Sequence, residues 1–287
     1  MEGNKKMQFW SIVLLTINSI IGTGIFLSPG SVAKLSGSLA PWIYLCAAVF
    51  AAVLAITFAS AAKYVTKNGA GYAYAKAAFG ENVGLYVGIT RFVAASIAWG
   101  VMATGVVKTT LSIFSMDSGS VVNITIGFLI LMAILLIINL IGTQILTFIS
   151  DLSTLGKLAA LGITIIAGVV ILVKTGQNHI AEIDLLKDAA GEKLVPALTT
   201  TGFVTAVIAA FYAFTGFESV ASGASDMENP EKNLPRAIPL AIGIIAAIYF
   251  GIVLVSMFID PVSLVTSKEV VVLASVFKSK IISNIII

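Results

Sequence analysis

Residue types that bind metals or form disulfides are scarce in this chain of 287 residues. There is one cysteine, Cys46, and one histidine, His179. A disulfide framework needs pairs of cysteines, and a zinc site needs several cysteines or histidines. Both are therefore excluded, and we expect no metal and no cofactor.

Charged residues are also scarce, at 11% of the chain, whereas soluble domains have about 25%. The 17 basic residues are spread out, so a net charge of +3 forms no patch for nucleic acid. Hydrophobic residues make up 58% of the chain, and the mean hydropathy is +1.04. Lipid must therefore be the solvent for much of the surface, which makes the bilayer a partner.

Seven stretches are apolar over the roughly 20 residues that a transmembrane helix needs. The sequence thus predicts an all-α integral membrane protein with a single transmembrane domain over residues 1–287. Residues 63–83 predict an interfacial helix or re-entrant turn, and residues 260–287 form an ambiguous tail that could begin an eighth span. The predicted spans lie near residues 8–32, 41–62, 84–107, 121–142, 152–173, 200–225 and 237–259.

The basic residues of the loops favour a cytoplasmic amino terminus. That orientation places seven basic residues inside and five outside before the tail, where Lys268, Lys278 and Lys280 would reverse the bias. We therefore expect a multi-pass protein of the cell membrane with its amino terminus in the cytoplasm.

Two of the predicted spans contain glycine and threonine near mid-membrane, at residues 21–26 and 211–218. Thr23-Gly24-Ile25 aligns with Thr215-Gly216-Phe217, which indicates an inverted repeat. The first helix of each copy is interrupted. Such a matched pair of interrupted helices is the best sequence pointer to a transporter's binding site. A helix break frees backbone N–H and C=O groups, and an amino-acid zwitterion can satisfy both kinds. Close helix packing is the alternative reason for these glycines.

Three ionisable side chains fall inside predicted spans, where such groups are functional hypotheses by default. Glu218 follows the second break, and either carries protons or braces the break by a hydrogen bond. Lys157 lies six residues after Asp151, so it either has a functional role or extends to the interface. Arg91 lies early in the third span, and this position predicts that its side chain extends to the membrane interface as an anchor.

The residues around both breaks resemble the amino acid–polyamine–organocation (APC) permease superfamily. Residues 21–26 with Pro29-Gly30 resemble its first-helix signature, and residues 69–74 with Phe79-Gly80 resemble its second-to-third-helix loop, with Ala70 where a second glycine is usual. Residues 211–238 are similar to its long sixth-to-seventh-helix motif.

This resemblance implies a fold of five plus five inverted helices and a substrate held by the unwound parts of helices 1 and 6. By position, Thr23 and Gly24 would bind the carboxylate, the carbonyls of Ile20, Tyr212 and Thr215 would bind the amine, and Tyr212 would cover the site. The implied set of substrate-binding residues is Ile20, Ile21, Gly22, Thr23, Gly24, Tyr212, Phe214, Thr215 and Gly216.

The resemblance also implies secondary transport of amino acids, by proton-coupled symport or by exchange. Lys157 matches a lysine that stands where sodium sits in other transporters of this fold, so Lys157 and Glu218 are the predicted proton-coupling residues. Twelve helices are usual in the superfamily and seven are clear here, so we expect a truncated permease with an incomplete second repeat.

Other functions remain as alternatives. A polyamine or other organic-cation antiporter would share the fold. A seven-helix receptor would place its amino terminus outside and a retinal-type lysine in its last helix, whereas Lys157 lies in the fifth. A membrane enzyme would need a histidine, a metal cluster or paired carboxylates within the membrane, so we expect no enzyme.

Overall fold

A computed structural model describes residues 6–65, 69–141, 143–176, 178–188, 190–267 and 276. This part of the chain is built from α-helices and short 3-10 turns and contains no strand longer than an isolated bridge, which confirms the all-α prediction. The helices are α1 (Phe9–Ile20), α2 (Gly24–Ser36), α3 (Ala40–Ala61), α4 (Ala70–Phe79), α5 (Glu81–Ile113), α6 (Val121–Ile141), α7 (Thr143–Thr175), α8 (Thr200–Tyr212), α9 (Phe217–Val220), α10 (Pro230–Ile259) and α11 (Pro261–Thr266).

Five helical segments of the described chain are long and apolar enough to cross a membrane, and the bent pair of α8 and α9 makes a sixth. Seven spans are predicted, and the difference arises at the amino-terminal end. There α1 has only 12 residues, and α2, a 3-10 turn and α3 follow one another from Gly24 to Ala61. The backbone leaves the helical conformation at Gly37, where φ is +57°.

Local signals in the sequence explain several helix ends. Thr199 precedes α8, and its hydroxyl accepts the N–H of Gly202 at 3.0 Å, which caps the helix. Proline begins both α10 and α11, at the first helical position, where its missing N–H costs nothing. The predicted interfacial segment contains α4, which begins after Gly69.

The core lies around α10, which packs against α3, α1 and α7, while α2 packs against α8. Buried residues of α10 include Ile238, Ile245 and Tyr249, none of which has any exposed surface. By contrast, large apolar side chains of α5 and α6 are widely exposed. Such surfaces suit helices whose solvent is hydrocarbon.

The short helix α4 lies against the first turns of α5. Lys76 donates a hydrogen bond to Glu81 at 2.8 Å and another to the Tyr72 hydroxyl at 3.4 Å. The bond to Glu81, with the bond to Tyr72, raises the pKa of Lys76 above its usual value. Gly84 and Gly88 leave room for this packing, because Cβ atoms there would meet Lys76 and Tyr72 at 2.7 and 3.2 Å.

The segment before α1 pairs with the connection that follows the broken sixth span. Met7 donates its N–H to the carbonyl of Asp226 at 3.0 Å, and Glu228 donates its N–H to the carbonyl of Met7 at 2.9 Å. Two backbone hydrogen bonds thus join the start of the first broken span to the end of the sixth span. Of the ambiguous tail, residues 268–275 and 277–287 lie outside the described part, as do the predicted tail lysines.

Candidate functional site

Both predicted breaks are present in the structure. Helix α1 ends at Ile20 and α2 begins at Gly24, while α8 ends at Tyr212 and α9 begins at Phe217. The second break bends the chain by 40°. The glycine and threonine pattern of the two spans therefore marks real interruptions.

The two breaks lie directly against each other. A Cβ on Gly24 would come within 2.6 Å of the Cα of Ala213, and a Cβ on Gly216 would overlap the carbonyl oxygen of Ser19. Gly216 also has φ of +117°, a conformation that side chains rarely adopt. Glycine at both positions lets one unwound backbone touch the other.

Within the first break, several backbone groups are used by the chain itself. The Ile20 carbonyl accepts the Gly22 N–H at 2.7 Å, and the Thr23 carbonyl accepts two N–H groups from the first turn of α2, each at 3.1 Å. The hydroxyl of Thr23 is buried and has no hydrogen-bond partner among the described residues. A buried hydroxyl without a hydrogen-bond partner calls for an explanation. One explanation is a ligand that forms the missing hydrogen bond.

At the second break, Tyr212 and Ala213 supply carbonyls at the end of α8. The Tyr212 carbonyl accepts from Thr215 twice, from its N–H at 3.3 Å and its hydroxyl at 2.8 Å. The Ala213 carbonyl accepts from the hydroxyl of Tyr249 in α10 at 3.2 Å. The surrounding protein thereby satisfies part of the backbone that the break exposes.

The side chain of Phe214 lies in a buried aromatic cluster rather than in an open site. Its ring centroid is 5.1 Å from that of Tyr249 and 6.5 Å from that of Tyr44. The cluster holds the second break against α3 and α10. The Tyr212 side chain is half-buried, and its role as a cover over the site stays a prediction.

Lys157 points inward, toward the first broken span. Its Nζ donates a hydrogen bond to Oδ1 of Asn18 at 3.1 Å, two residues before α1 ends. The lysine therefore lies within reach of the unwound segment. Its part in proton coupling stays a prediction.

Glu218 sits just after the second break and caps it. Its Oε2 accepts the N–H of Gly216 at 2.9 Å, and its Oε1 lies 3.9 Å from the guanidinium of Arg91. The interfacial anchor predicted for Arg91 stays a prediction, and the arginine also lies within ion-pair distance of Glu218. The long side chain of Arg91 extends from α5 to the carboxylate that follows the second break.

Three contributors to the site escape sequence reasoning. Asn18 and Tyr249 are polar residues within apolar stretches, which is the signal that could have singled them out. Ala213 carries no such signal, because alanine is ordinary in a membrane helix, and only the fold shows its contact with Gly24.

Comparison with known proteins agrees with these features. The family described as "Amino acid permease" matches residues 7–286. An uncharacterized transporter of Mycobacterium tuberculosis is 41% identical over 98% of this chain and 61% of its own length. The serine/threonine exchanger SteT of Bacillus subtilis is 29% identical, over 86% of this chain and 53% of its own length. The branched-chain amino acid permease BcaP of Lactococcus lactis is 25% identical, over 91% and 57%.

The chain thus spans roughly three fifths of the length of the mycobacterial relative, and somewhat less of SteT and BcaP. The family match covers nearly all of the chain, and these relatives are transporters rather than enzymes or receptors. Together with several apolar membrane-spanning helices, the match makes the chain a multi-pass membrane protein. It belongs to the amino acid permease family, within the APC superfamily.

Proposed function

We propose that this protein carries amino acids across the cell membrane by alternating access, with the substrate held where its two broken helices meet. The contact between Gly24 and Ala213 supports this, because it brings two sets of freed backbone groups together. An amino acid presents one carboxylate and one ammonium. These are the two charges that opposite helix ends bind best.

The substrate carboxylate would bind at the start of α2. The first N–H groups of a helix have no partner within it, and they favour an anion. The Thr23 hydroxyl adds a donor that is buried and lacks a partner in the described structure. This hydroxyl is the single observation that carries the proposal most directly.

The substrate ammonium would bind carbonyls that end α1 and α8. The Ile20 carbonyl uses one of its two lone pairs on Gly22, whereas the Tyr212 carbonyl already accepts two hydrogen bonds. The Ile20 carbonyl is therefore a better acceptor in this conformation than the Tyr212 carbonyl, and the Thr215 carbonyl is the other proposed acceptor. Tyr212 would act through its ring, by covering the site.

Amino acids are the substrate class most consistent with the relatives. SteT is named for serine and threonine and BcaP for branched-chain amino acids. These substrates share the charged backbone and differ in the side chain. The groups described at the breaks would recognise the shared part, and polyamines, which lack a carboxylate, would leave the start of α2 unsatisfied.

The coupling would be to protons or to a second amino acid, with Lys157 and Glu218 as the responding groups. The Nζ of Lys157 donates to Asn18 of α1. While it is protonated, an ammonium group at this position would repel a sodium ion. The proposed arrangement is the inverted repeat of five plus five helices, with the amino terminus in the cytoplasm.

Binding to the purified protein in lipid nanodiscs tests this function. We expect saturable binding of a radiolabelled L-amino acid, displaced by other L-amino acids and weakly by their D-enantiomers. Serine, threonine, leucine and phenylalanine form a first panel, with the polyamine putrescine as a competitor of the other class. Displacement by putrescine alone would contradict the proposal and support an organic-cation carrier.

A further inference from the structure

Arg91 and Glu218 link the long helix α5 to the second break. The guanidinium of Arg91 lies 3.9 Å from Oε1 of Glu218, while Oε2 of the same carboxylate accepts the N–H of Gly216. One carboxylate thus joins a cation on α5 to the backbone at the break. Gly216 in turn lies against the carbonyl of Ser19 in the other broken span.

The position of Arg91 is itself set by α4. A Cβ on Gly71 would lie 3.1 Å from Cδ of Arg91, so the arginine stem passes closely over this glycine. Gly69, just before α4, donates its N–H to the carbonyl of Ser222, which follows α9, at 3.4 Å. The pair of helices α4 and α5 therefore contacts the segment after the break at two points.

The Glu218 side chain is 24% exposed and the Arg91 side chain is 38% exposed, so the carboxylate is the more shielded member of the ion pair. An unpaired carboxylate inside a membrane span is costly, and a nearby cation reduces that cost. An arginine that served only as an anchor would direct its guanidinium to the headgroups. Here it lies toward a carboxylate that already caps the break.

We propose that Arg91 is a positioning residue for substrate binding. It holds the Glu218 carboxylate on the N–H of Gly216 and so keeps the second break seated against Ser19. The inference rests on the proposed function, because the geometry that it maintains is that of the substrate site. The residue acts through Glu218 and does not touch the substrate.

Two substitutions at position 91 separate charge from shape. Arg91→Lys keeps a cation on a long stem, whereas Arg91→Met keeps a stem of similar bulk without the charge. In the nanodisc assay we expect Arg91→Met to raise the dissociation constant by about tenfold. We expect Arg91→Lys to recover most of the affinity, while Lys108→Met, which removes another cation of α5, leaves it unchanged.

A double-mutant cycle tests whether Arg91 acts through Glu218. We expect the double variant with Arg91→Met and Glu218→Gln to bind no more weakly than Glu218→Gln alone. Fully additive losses, or wild-type affinity in Arg91→Met, would overturn the inference. Equal losses in Arg91→Lys and Arg91→Met would also overturn it, because they would show that the cation is irrelevant.

Thermal unfolding without any amino acid keeps this inference separate from the proposed function. The four proteins of the cycle are compared: the wild type, Arg91→Met, Glu218→Gln and the double variant. If the wild type binds no amino acid, the proposed function fails. The interaction between Arg91 and Glu218 is then judged from the unfolding temperatures of these four proteins alone. A non-additive change in those temperatures supports a break held by Arg91 through Glu218, and an additive change refutes it.

Discussion

The Cα of Gly24 faces the Cα of Ala213 so closely that a single added carbon would lie 2.6 Å from it. The neighbouring atom belongs to the backbone and cannot rotate away. Two helix breaks from distant parts of the chain are therefore in contact because one residue lacks a side chain.

Replacing Gly24 with alanine should separate the two breaks. We expect Gly24→Ala to destabilise the protein by about 1–3 kcal/mol, as overpacking does, and to weaken amino-acid binding severely. The bulkier Gly24→Leu should abolish binding and still insert into membranes. Thermal unfolding in detergent and radiolabelled binding measure both effects.

Gly243→Ala is the matched control, since a Cβ on this glycine of α10 would meet nothing within 4 Å among the described residues outside its own helical turns. Alanine is a better helix former than glycine by about 1 kcal/mol, so this variant should be at least as stable as the wild type. Wild-type stability and affinity in Gly24→Ala would show that the breaks do not depend on their contact.

Replacing Thr23 with valine should separate binding from stability. Its hydroxyl has no partner among the described residues, so a methyl group of similar size should leave the stability of the empty protein unchanged or higher. Binding should weaken by about tenfold or more, because a hydrogen bond to a charged group is lost. Isothermal binding and thermal unfolding on one preparation give both quantities.

Thr215→Val provides the comparison at the other break. The Thr215 hydroxyl donates to the Tyr212 carbonyl at 2.8 Å, so its removal should lower stability by about 1 kcal/mol. If Thr23→Val lost as much stability as Thr215→Val and bound amino acid normally, the carboxylate site would lie elsewhere.

The coupling proposal concerns Lys157. We expect amino-acid uptake into proteoliposomes to respond to an imposed pH gradient and to ignore sodium. Lys157→Gln can still donate to Asn18 but lacks the charge, so accumulation driven by the gradient should disappear while exchange of amino acids continues. Lys174→Gln, at the exposed end of α7, should behave like the wild type. Uptake that requires sodium would refute the proposal, as would full coupling in Lys157→Gln.

The pairing of Met7 with Asp226 and Glu228 can be tested by hydrogen exchange. Met7→Pro removes the N–H that bonds to Asp226, whereas Met7→Ala keeps it. We expect the amide of Glu228, which donates to the Met7 carbonyl, to exchange faster in the proline variant and at the wild-type rate in the alanine variant. Equal exchange in all three proteins would mean that this pairing does not persist in solution.

The breaks themselves are visible in the sequence, but their surroundings are not. Glycine and threonine in an apolar span indicate an interruption, since few other residues allow it. Arg91 looks like an anchor because only its distance along α5 can be read from sequence. Glu218, 3.9 Å from its guanidinium, belongs to a helix far along the chain, and no periodicity within either helix encodes that approach.

The first predicted span shows a related limit. Hydropathy treats residues 8–32 as one continuous stretch, whereas the structure divides it into α1 and α2. Averaging over a window conceals three residues, 21–23, that leave the helix. The motif at the break, rather than the apolar run around it, carries the information about that division.

The bonds between Met7 and the residues that follow α9 also bear on the order in which the protein is assembled. A ribosome delivers Met7 long before it delivers Asp226, so this pairing forms only after the broken sixth span has been synthesised. During that interval α2 lacks α8, against which it later packs, and unsatisfied polar groups of the unwound residues 21–23 would cost several kcal/mol each in hydrocarbon. The first helix pair must therefore be sheltered by the insertion machinery, or by earlier helices in a temporary arrangement, until α8 enters the membrane.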